Sequence, residues 1–273
     1  APGDGPVVQY SFEDASNLWK DSSSAGNHAT NNGATQTLGR VGKAAYFNGS
    51  NAALDLSAHA SKLNLTEGTV SFWAKADVDV WDTAYLVPIS WWGGSETTTL
   101  HWWYLSLGHF TFAFPDEQFS IINLRKGLGG ALKLYTAVTR DSRSIRDGKW
   151  HAYTVTSNGG NDVKFYVDGE QKTLVLSPWA NTWSEFLADN NGKLSVWSSV
   201  FESNKAEWAG MKWAIDELKI YNYARTAAQI KADYEQEAKP TVIIHYQNAD
   251  GEELMSPTVH TKTSNGTEFQ LGQ

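Results

Sequence analysis

Cysteine is absent from all 273 residues. Its absence excludes disulfides, thiolate metal sites and a cysteine nucleophile. Long apolar runs are missing too: none approaches the roughly 20 residues that a membrane-spanning helix needs, so the sequence reads as that of a soluble chain. The opening APGDGPVV has neither a charged n-region nor an apolar h-region. It reads as the start of a mature chain or of an excised piece of a longer one, not as an export leader. Positive charge is in short supply, with 22 Lys and Arg against 30 Asp and Glu, a net charge of −8 and a pI near 5.4. That balance argues against nucleic acid or an anionic membrane as partner.

Catalytic signatures are missing as well. No Gly-x-Ser-x-Gly elbow, His-Glu-x-x-His pair or phosphate loop occurs. A glycosidase needs two carboxylates about 5–10 Å apart across the scissile bond. The strand patterns Glu-x-Asp-x-x-Glu and Glu-x-Asp-x-Glu, which would set such groups on one sheet face, are not found, nor are repeated Ser-x-Asp-x-Gly boxes. Glu13-Asp14 and Asp216-Glu217 are adjacent pairs, and neighbours in a strand point to opposite faces. The expectation is a protein that is not itself an enzyme.

What is present is tryptophan, 13 residues of it, and short strands. Trp beyond the needs of a core suits a sugar-binding protein, because flat indoles stack on the faces of sugar rings. Alternating apolar segments are expected as strands at 7–12, 44–47, 69–76, 84–90, 100–107, 110–114, 133–139, 151–156, 164–167, 193–197 and 214–221. Turn clusters such as AGNHATNNGA, NGSN, NGGND and DNNGK separate them. Many short strands with no helices between them imply an all-β fold, a two-sheet antiparallel sandwich. One short C-terminal helix is expected from Thr226, with Thr as N-cap and Gln229 at the third helical position as in a capping box. It should end before Pro240. Composition resets there, at PTVIIHYQNADGEEL, so residues 1–238 are expected to form one domain. Residues 239–273 then hold a linker and the truncated start of a following β domain.

Five segments in order resemble the laminin-G-like, concanavalin A-like jelly rolls. They are VQYSFED with SSAGNHA (8–14 and 23–29), GKAAYFNGS (42–50), TVSFWAK (69–75), the hairpin DGKWHAYTVT with VKFYVDG (147–156 and 163–169), and AIDELKIYNYA (214–224). The likeness spans residues 7 to about 235 and implies a jelly roll found in secreted carbohydrate-active or adhesive bacterial proteins. The tail VIIHYQNADGEEL is similar to the first hairpin of the mucin-binding repeats of Gram-positive surface proteins. Together these imply an extracellular location, secreted or wall-attached, and a glycan partner of host or polysaccharide origin.

Candidate site residues follow in three groups. In 214–221, alternation puts Leu218 and Ile220 on the core side, with Glu217 and Lys219 outward. Asp216 then shares the core parity, and a buried carboxylate needs a cation, whether Lys, Arg or a metal. The alternative is that Asp216 caps backbone N–H groups at a strand end. The family resemblance implies a structural Ca²⁺ bridging the first and last strands, held by Glu13, Asn27 and Asp216 with carbonyls near Phe12 and Lys43. Hard oxygen ligands from dispersed segments suit that ion.

Parity also sorts the Trp doublets. In HWWYLSL, Leu105 and Leu107 share parity with Trp103, so Trp102 and Tyr104 face away beside Ser106. Phe110, Phe112 and Phe114 are expected inward, and His109 outward. In LSVW, Trp197 faces out, and of Trp91 and Trp92 the latter is preferred. Trp92, Trp102, Tyr104 and Trp197 make a candidate sugar platform, with the alternative that long loops cover this face and make it a second core. Trp179, Trp183, Trp208 and Trp213 fit either role. The stretch from Leu124 to Arg146 is longer than the family's connection and carries Arg125, Lys126, Arg140, Arg143 and Arg146. Those charges are either a solvated face or a contact for an acidic sugar, with Arg140 the chosen candidate. His151 recurs in the family hairpin without activity and is expected to be structural.

The resulting expectation is a non-catalytic, lectin-like module, monomeric within a larger chain, that stacks indoles on a glycan while loop side chains bond its hydroxyls. A protein-binding adhesion domain stands second, a structural spacer third, and a jelly-roll hydrolase or lyase last.

Overall fold

The structure is a computed structural model. It describes residues 5–48, 52–76, 86–93, 101–110, 119–128, 131–138, 147–159, 162–176, 194–196, 212–239 and 241–261. For 86–138, 174–176 and 195–196 the description is of backbone pairing. The strands run β1 (Val8–Tyr10), β2 (Thr30–Asn32), β3 (Thr35–Leu38), β4 (Lys43–Asn48), β5 (Ala53–Asp55) and β6 (Gly68–Ala76). Next come β7 (Leu86–Gly93), β8 (His101–Phe110), β9 (Phe119–Leu128), β10 (Ala131–Val138), β11 (His151–Ser157) and β12 (Val163–Val167). The last are β13 (Glu170–Lys172), β14 (Leu174–Leu176), β15 (Ser195–Val196), β16 (Lys212–Tyr221), β17 (Thr241–Gln247) and β18 (Glu253–Thr261). One helix, α1 (Ala227–Glu237), follows β16.

Two eight-stranded sheets result, and every pairing among the described strands is antiparallel. The first runs β13-β12-β11-β6-β16-β4-β3, with β1 also on β16; the second runs β14-β10-β9-β8-β7-β15-β5-β2. The expected sandwich is therefore present, and the first and last segments of the domain are neighbours through the β1–β16 pair. The core joins Val70, Phe72 and Ala74 of β6 to Tyr153, Val155, Phe165, Phe47 and Trp213, all closed to solvent. Trp213 stacks on Phe47 at 4.9 Å, which places it in the core. Each such side chain contributes about 1.5–3 kcal/mol by burial.

The hairpin at 147–172 shows how local chemistry sets geometry. β11 and β12 pair from Tyr153–Val167 to Ser157–Val163. Asp168 and Gly169, at φ 52° and 77°, then turn the chain tightly into β13, the positive-φ pair that a two-residue hairpin turn demands. Helix α1 begins as expected: the Thr226 hydroxyl accepts from the Gln229 N–H, while the Gln229 side chain accepts from the Thr226 N–H.

Three outcomes differ from simple alternation. First, the strand expected at 133–139 is present as β10, but it pairs in a hairpin with β9, which runs into the stretch expected as a long basic connection. Second, the outer face of the first sheet is not open. Helix α1 lies across it, with Tyr234 stacked on Trp73 at 5.6 Å and the Trp73 N–H donating to Glu237 at 2.7 Å. So Trp73, Thr69 and Thr154 are buried although they point away from the core. Third, Asp216 does not lie on the core side of β16. Before it, Trp213 and Ile215 are the core residues; after it, Leu218 and Ile220 are. The parity changes because the β16–β6 register slips between Asp216 and Lys219, where Glu217 takes φ 48°. A bulge sets two residues against one and inverts every side chain beyond it. Asp216 pairs with Trp73 on the outer face, and it is buried there.

Among the described residues, strands β17 and β18 pair only with each other. Leu254 and Met255 of that hairpin are exposed.

Candidate functional site

Two places gather the residues singled out by sequence. The first is a clasp at the junction of β1, β16 and the turn before β4. Asp216 is fully buried, and among the described residues its partners are the N–H groups of Val41 at 2.9 Å and Glu217 at 2.8 Å. Glu13, at the rim, accepts from the Lys43 N–H at 2.9 Å. The Gln36 amide donates to the Phe12 carbonyl at 2.9 Å. Burial pushes the Asp216 carboxyl up to about 8, with the charges of Glu217 and Glu13 adding to the rise and the two N–H bonds opposing it. The Glu13 carboxyl is also raised, first by desolvation.

Glycines make the clasp possible. A methyl group at Gly39 would stand 2.5 Å from Asp216 Oδ2 and 2.6 Å from the Lys43 carbonyl oxygen. One at Gly42, which has φ 59°, would stand 2.5 Å from both Glu13 oxygens. Two non-glycine residues in the left-handed region, Phe12 and Glu217, adjoin the two carboxylates, strain of about 1–3 kcal/mol each that only the surrounding packing holds. The donor set is two carboxylates and the Lys43 carbonyl, all hard oxygens, with Asp216 buried and Glu13 exposed at the rim. These residues fit a divalent cation of the calcium class. Gly39 and Gly42 are clasp positions that sequence reasoning passed over, though the spacing Gly39-Arg-Val-Gly42 was legible as a tight turn.

Asn27 is not part of this clasp. It lies towards the other end of β1, where its amide donates to the Val7 carbonyl at 2.9 Å and accepts from Lys62 at 3.5 Å. Its backbone N–H donates to Asp21, and its carbonyl accepts from the Tyr10 hydroxyl. Among the described residues, no group of three or more His, Asp or Glu side chains gathers to hold a metal.

The second place is a face of the second sheet. Trp102 pairs with Trp92 on β7 and with Gly127 on β9; Tyr104 pairs with Ser90 and with Arg125. Cross-strand partners share a face, so Trp92, Trp102, Tyr104, Ser90 and Arg125 occupy one side. Ser90 pairs with Ser195, and Ser195 with Asp55. Leu54, fully buried in the core, pairs with Val196 and belongs to the opposite side. Trp91, Trp103 and Leu105 fall on that opposite side as well. His109 does too, because β8 is one unbroken strand through Phe110; the structure does not bring it together with Trp102 and Tyr104. Trp197, Arg140, Trp179, Trp183 and Trp208 lie outside the described residues.

His151 is bound on both ring nitrogens, by Asp168 at 2.7 Å and Asp147 at 3.1 Å. The Asp168 bond leads in raising its pKa. Asp168 also accepts from the Ala152 N–H. The imidazole thus pins the loop before β11 to the turn after β12, a structural part.

A two-sheet antiparallel sandwich with an end-to-end clasp defines a concanavalin A-like jelly roll. The sequence profile of the Concanavalin A-like lectin/glucanases superfamily matches residues 48–231, about two thirds of the chain, and the protein belongs to that family. Among solved structures, it is similar to domain 4 of AbnA, an extracellular arabinanase of Geobacillus stearothermophilus, in complex with arabinotriose. The TM-score is 0.58 at 20% identity, over 84% of this chain and 97% of that one. It is also similar to the binding domain of Paraclostridial Mosquitocidal Protein 1, with a TM-score of 0.57 at 14% identity over 85% of this chain and 52% of that one. A third likeness is to the receptor binding domain of botulinum neurotoxin C/D mosaic serotype, with a TM-score of 0.54 at 14% identity over 85% and 51%. The chain spans about half the length of these toxin domains. A search of the curated proteins returned no match. At such identities the likenesses establish the fold; two of the relatives named are binding domains and the third is a domain solved with arabinotriose. No described helix is long and apolar enough to cross a membrane.

Proposed function

We propose that the protein is a non-catalytic carbohydrate-binding module of a secreted or surface-displayed multi-domain protein. The observation that carries this reading is the register of β7, β8 and β9, which sets Trp92, Trp102 and Tyr104 side by side on the sheet face opposite Leu54. Flat aromatic rings on a preformed sheet offer a sugar its stacking surface with little ordering cost. A domain of the same fold in complex with arabinotriose supports the choice of ligand class. Glu13 and Asp216, with the Lys43 carbonyl, are proposed to hold a structural calcium ion. When bound, that ion would supply the positive charge that buried Asp216 and its neighbour Glu13 lack. This chain's own residues do the rest, joining the end of β1 to β16 across the Gly39–Lys43 turn.

A second reading, a protein-binding adhesion module, is favoured by the likeness to toxin binding domains. A glycan array probed with the intact chain and with Trp102→Ala separates the two. The carbohydrate reading expects at least one glycan retained and its signal lost, tenfold or more, in Trp102→Ala. A blank array transfers the weight to protein binding.

A further inference from the structure

The two halves of the clasp are tied to the same turn of helix α1. Arg40 and Val41 form the tip of the β3–β4 hairpin, which the Gly39 N–H closes on the Gly42 carbonyl at 2.9 Å. The peptide between them donates its N–H, that of Val41, to Asp216 at 2.9 Å. At the base of the same hairpin, the Lys43 N–H donates to Glu13. The Arg40 side chain is held by the helix instead. Its guanidinium sits 5.1 Å over the Trp73 ring and donates to the carbonyl of Ala238, the residue that caps α1. A planar guanidinium can stack on a ring and donate from its edge at once; an ammonium lacks that geometry.

The other half of the clasp, the bulge of β16, reaches the same helical turn. Asp216 lies opposite Trp73 in the β16–β6 register, and the Trp73 N–H donates to Glu237 at 2.7 Å. Glu217, whose N–H donates to Asp216, pairs with Lys219 at 3.4 Å, and Lys219 pairs in turn with Glu237. The three charged side chains are at most 19% exposed, so these pairs are less weakened by water than pairs on an open surface. Glu237 and Ala238 close the helix, and β17 begins at Thr241.

We propose that Arg40 is a positioning residue for the clasp, so that cation binding by Asp216 and Glu13 and docking of the last turn of α1 reinforce each other. The inference rests on the calcium reading above and deepens it. The turn that brings the Lys43 carbonyl beside Asp216 is the turn that Arg40 anchors to the helix. Groups that share one turn gain or lose their order together, and such coupling is reciprocal. Arg40 has the wrong sign of charge to attract a cation, so its help comes through placement. The sign of its effect is therefore diagnostic: charge alone would make its removal tighten calcium binding, whereas placement makes its removal weaken it.

The test is calcium titration of the 273-residue chain by calorimetry at pH 8, with backbone hydrogen exchange followed in calcium and in chelator. Calcium should slow exchange at the Glu237 and Ala238 amides by about tenfold, within the usual range of coupling between two sites. The amide of Gly251, bonded within the β17–β18 turn, should be unchanged. Arg40→Gln should weaken calcium binding about tenfold and abolish the slowing, and Arg40→Lys, which keeps only the charge, should fall between. Calcium binding that is unchanged or tighter in Arg40→Gln overturns the inference while sparing the calcium reading. So does binding by the wild type with no slowing at Glu237 and Ala238, or with equal slowing at Gly251. No calcium binding, by heat or by melting temperature, overturns both. The exchange comparison uses the wild-type chain alone, so a variant that fails to fold does not stop the test.

Discussion

The two sheets can be compared by what the described residues place on the faces turned from the core. Over the first sheet, α1 stacks Tyr234 on Trp73. Lys219 joins the salt bridges to Glu237 and Glu217, and Arg40 sits 5.1 Å over the Trp73 ring. Aromatic residues that point outward there belong to a second, polar-rimmed layer of packing. On the second sheet, the register sets Trp92, Trp102 and Tyr104 together with Arg125, and Ser90, Ser106 and Asn123 share their side. An outward Trp is therefore not read from its own strand alone. Its meaning depends on whether an element from elsewhere in the chain returns to cover it.

The sharpest way to break that contrast is to truncate one indole on each sheet. Trp73→Ala removes a buried ring and the donor to Glu237, and should cost about 3–5 kcal/mol of stability, read from the shift in a urea unfolding midpoint. Trp102→Ala should cost under about 1 kcal/mol on the same measurement, while abolishing glycan retention. Equal costs would mean that both faces are closed, and the proposed binding face would go with the contrast.

The clasp beside the covered sheet comes next. The folded pKa of Asp216, pushed up to about 8, exceeds its unfolded value near 3.9. The folded state then binds the extra proton between those values, so stability without a bound cation falls as pH rises from about 4 to about 8. At about 1.36 kcal/mol per unit of pKa, the loss amounts to a few kcal/mol. Calcium should reverse it, raising the melting temperature more at pH 8 than at pH 5, and Asp216→Asn should remove both the pH slope and the calcium response. A melting temperature indifferent to calcium at pH 8 rejects the metal proposal.

The smallest effect concerns the hairpin at the edge of the first sheet. His151, bonded by Asp168 and Asp147, has a raised folded pKa. Its contribution is complete below the unfolded value of about 6.5 and is lost as pH rises through the raised folded value. For a partly exposed pair the amount is at most about 1 kcal/mol. His151→Gln should flatten that part of the stability profile, checked by unfolding midpoints between pH 5 and 9.

Much of the sandwich was legible in sequence, because strand periodicity and turn residues are local. The capping box at Thr226 and Gln229, the Asp168-Gly169 turn and the strands at 69–76 and 151–157 all rest on contacts a few residues apart. The site was legible only in part. Glu13 and Asp216 do converge, but Asp216 reached its buried place by another route, since strict alternation cannot foresee a bulge at Glu217. Asn27 was assigned to the clasp by resemblance, and it bonds instead at the opposite end of β1. Trp73 carries no mark in its own segment that a helix more than 150 residues later will cover it. Arg125 stood in a stretch read as a long basic connection, where its register pairing with Tyr104 was invisible.

From sequence alone, then, came the class of fold, the helix with its start, and the pairs of side chains that local alternation separates. Tertiary structure alone decided that a helix roofs the first sheet, on which side Asp216 stands and which residues meet across β7, β8 and β9. The physical reason is range. Dihedral preference and side-chain alternation act over a few residues, whereas strand register, a bulge and helix docking are settled by packing between segments far apart in the chain.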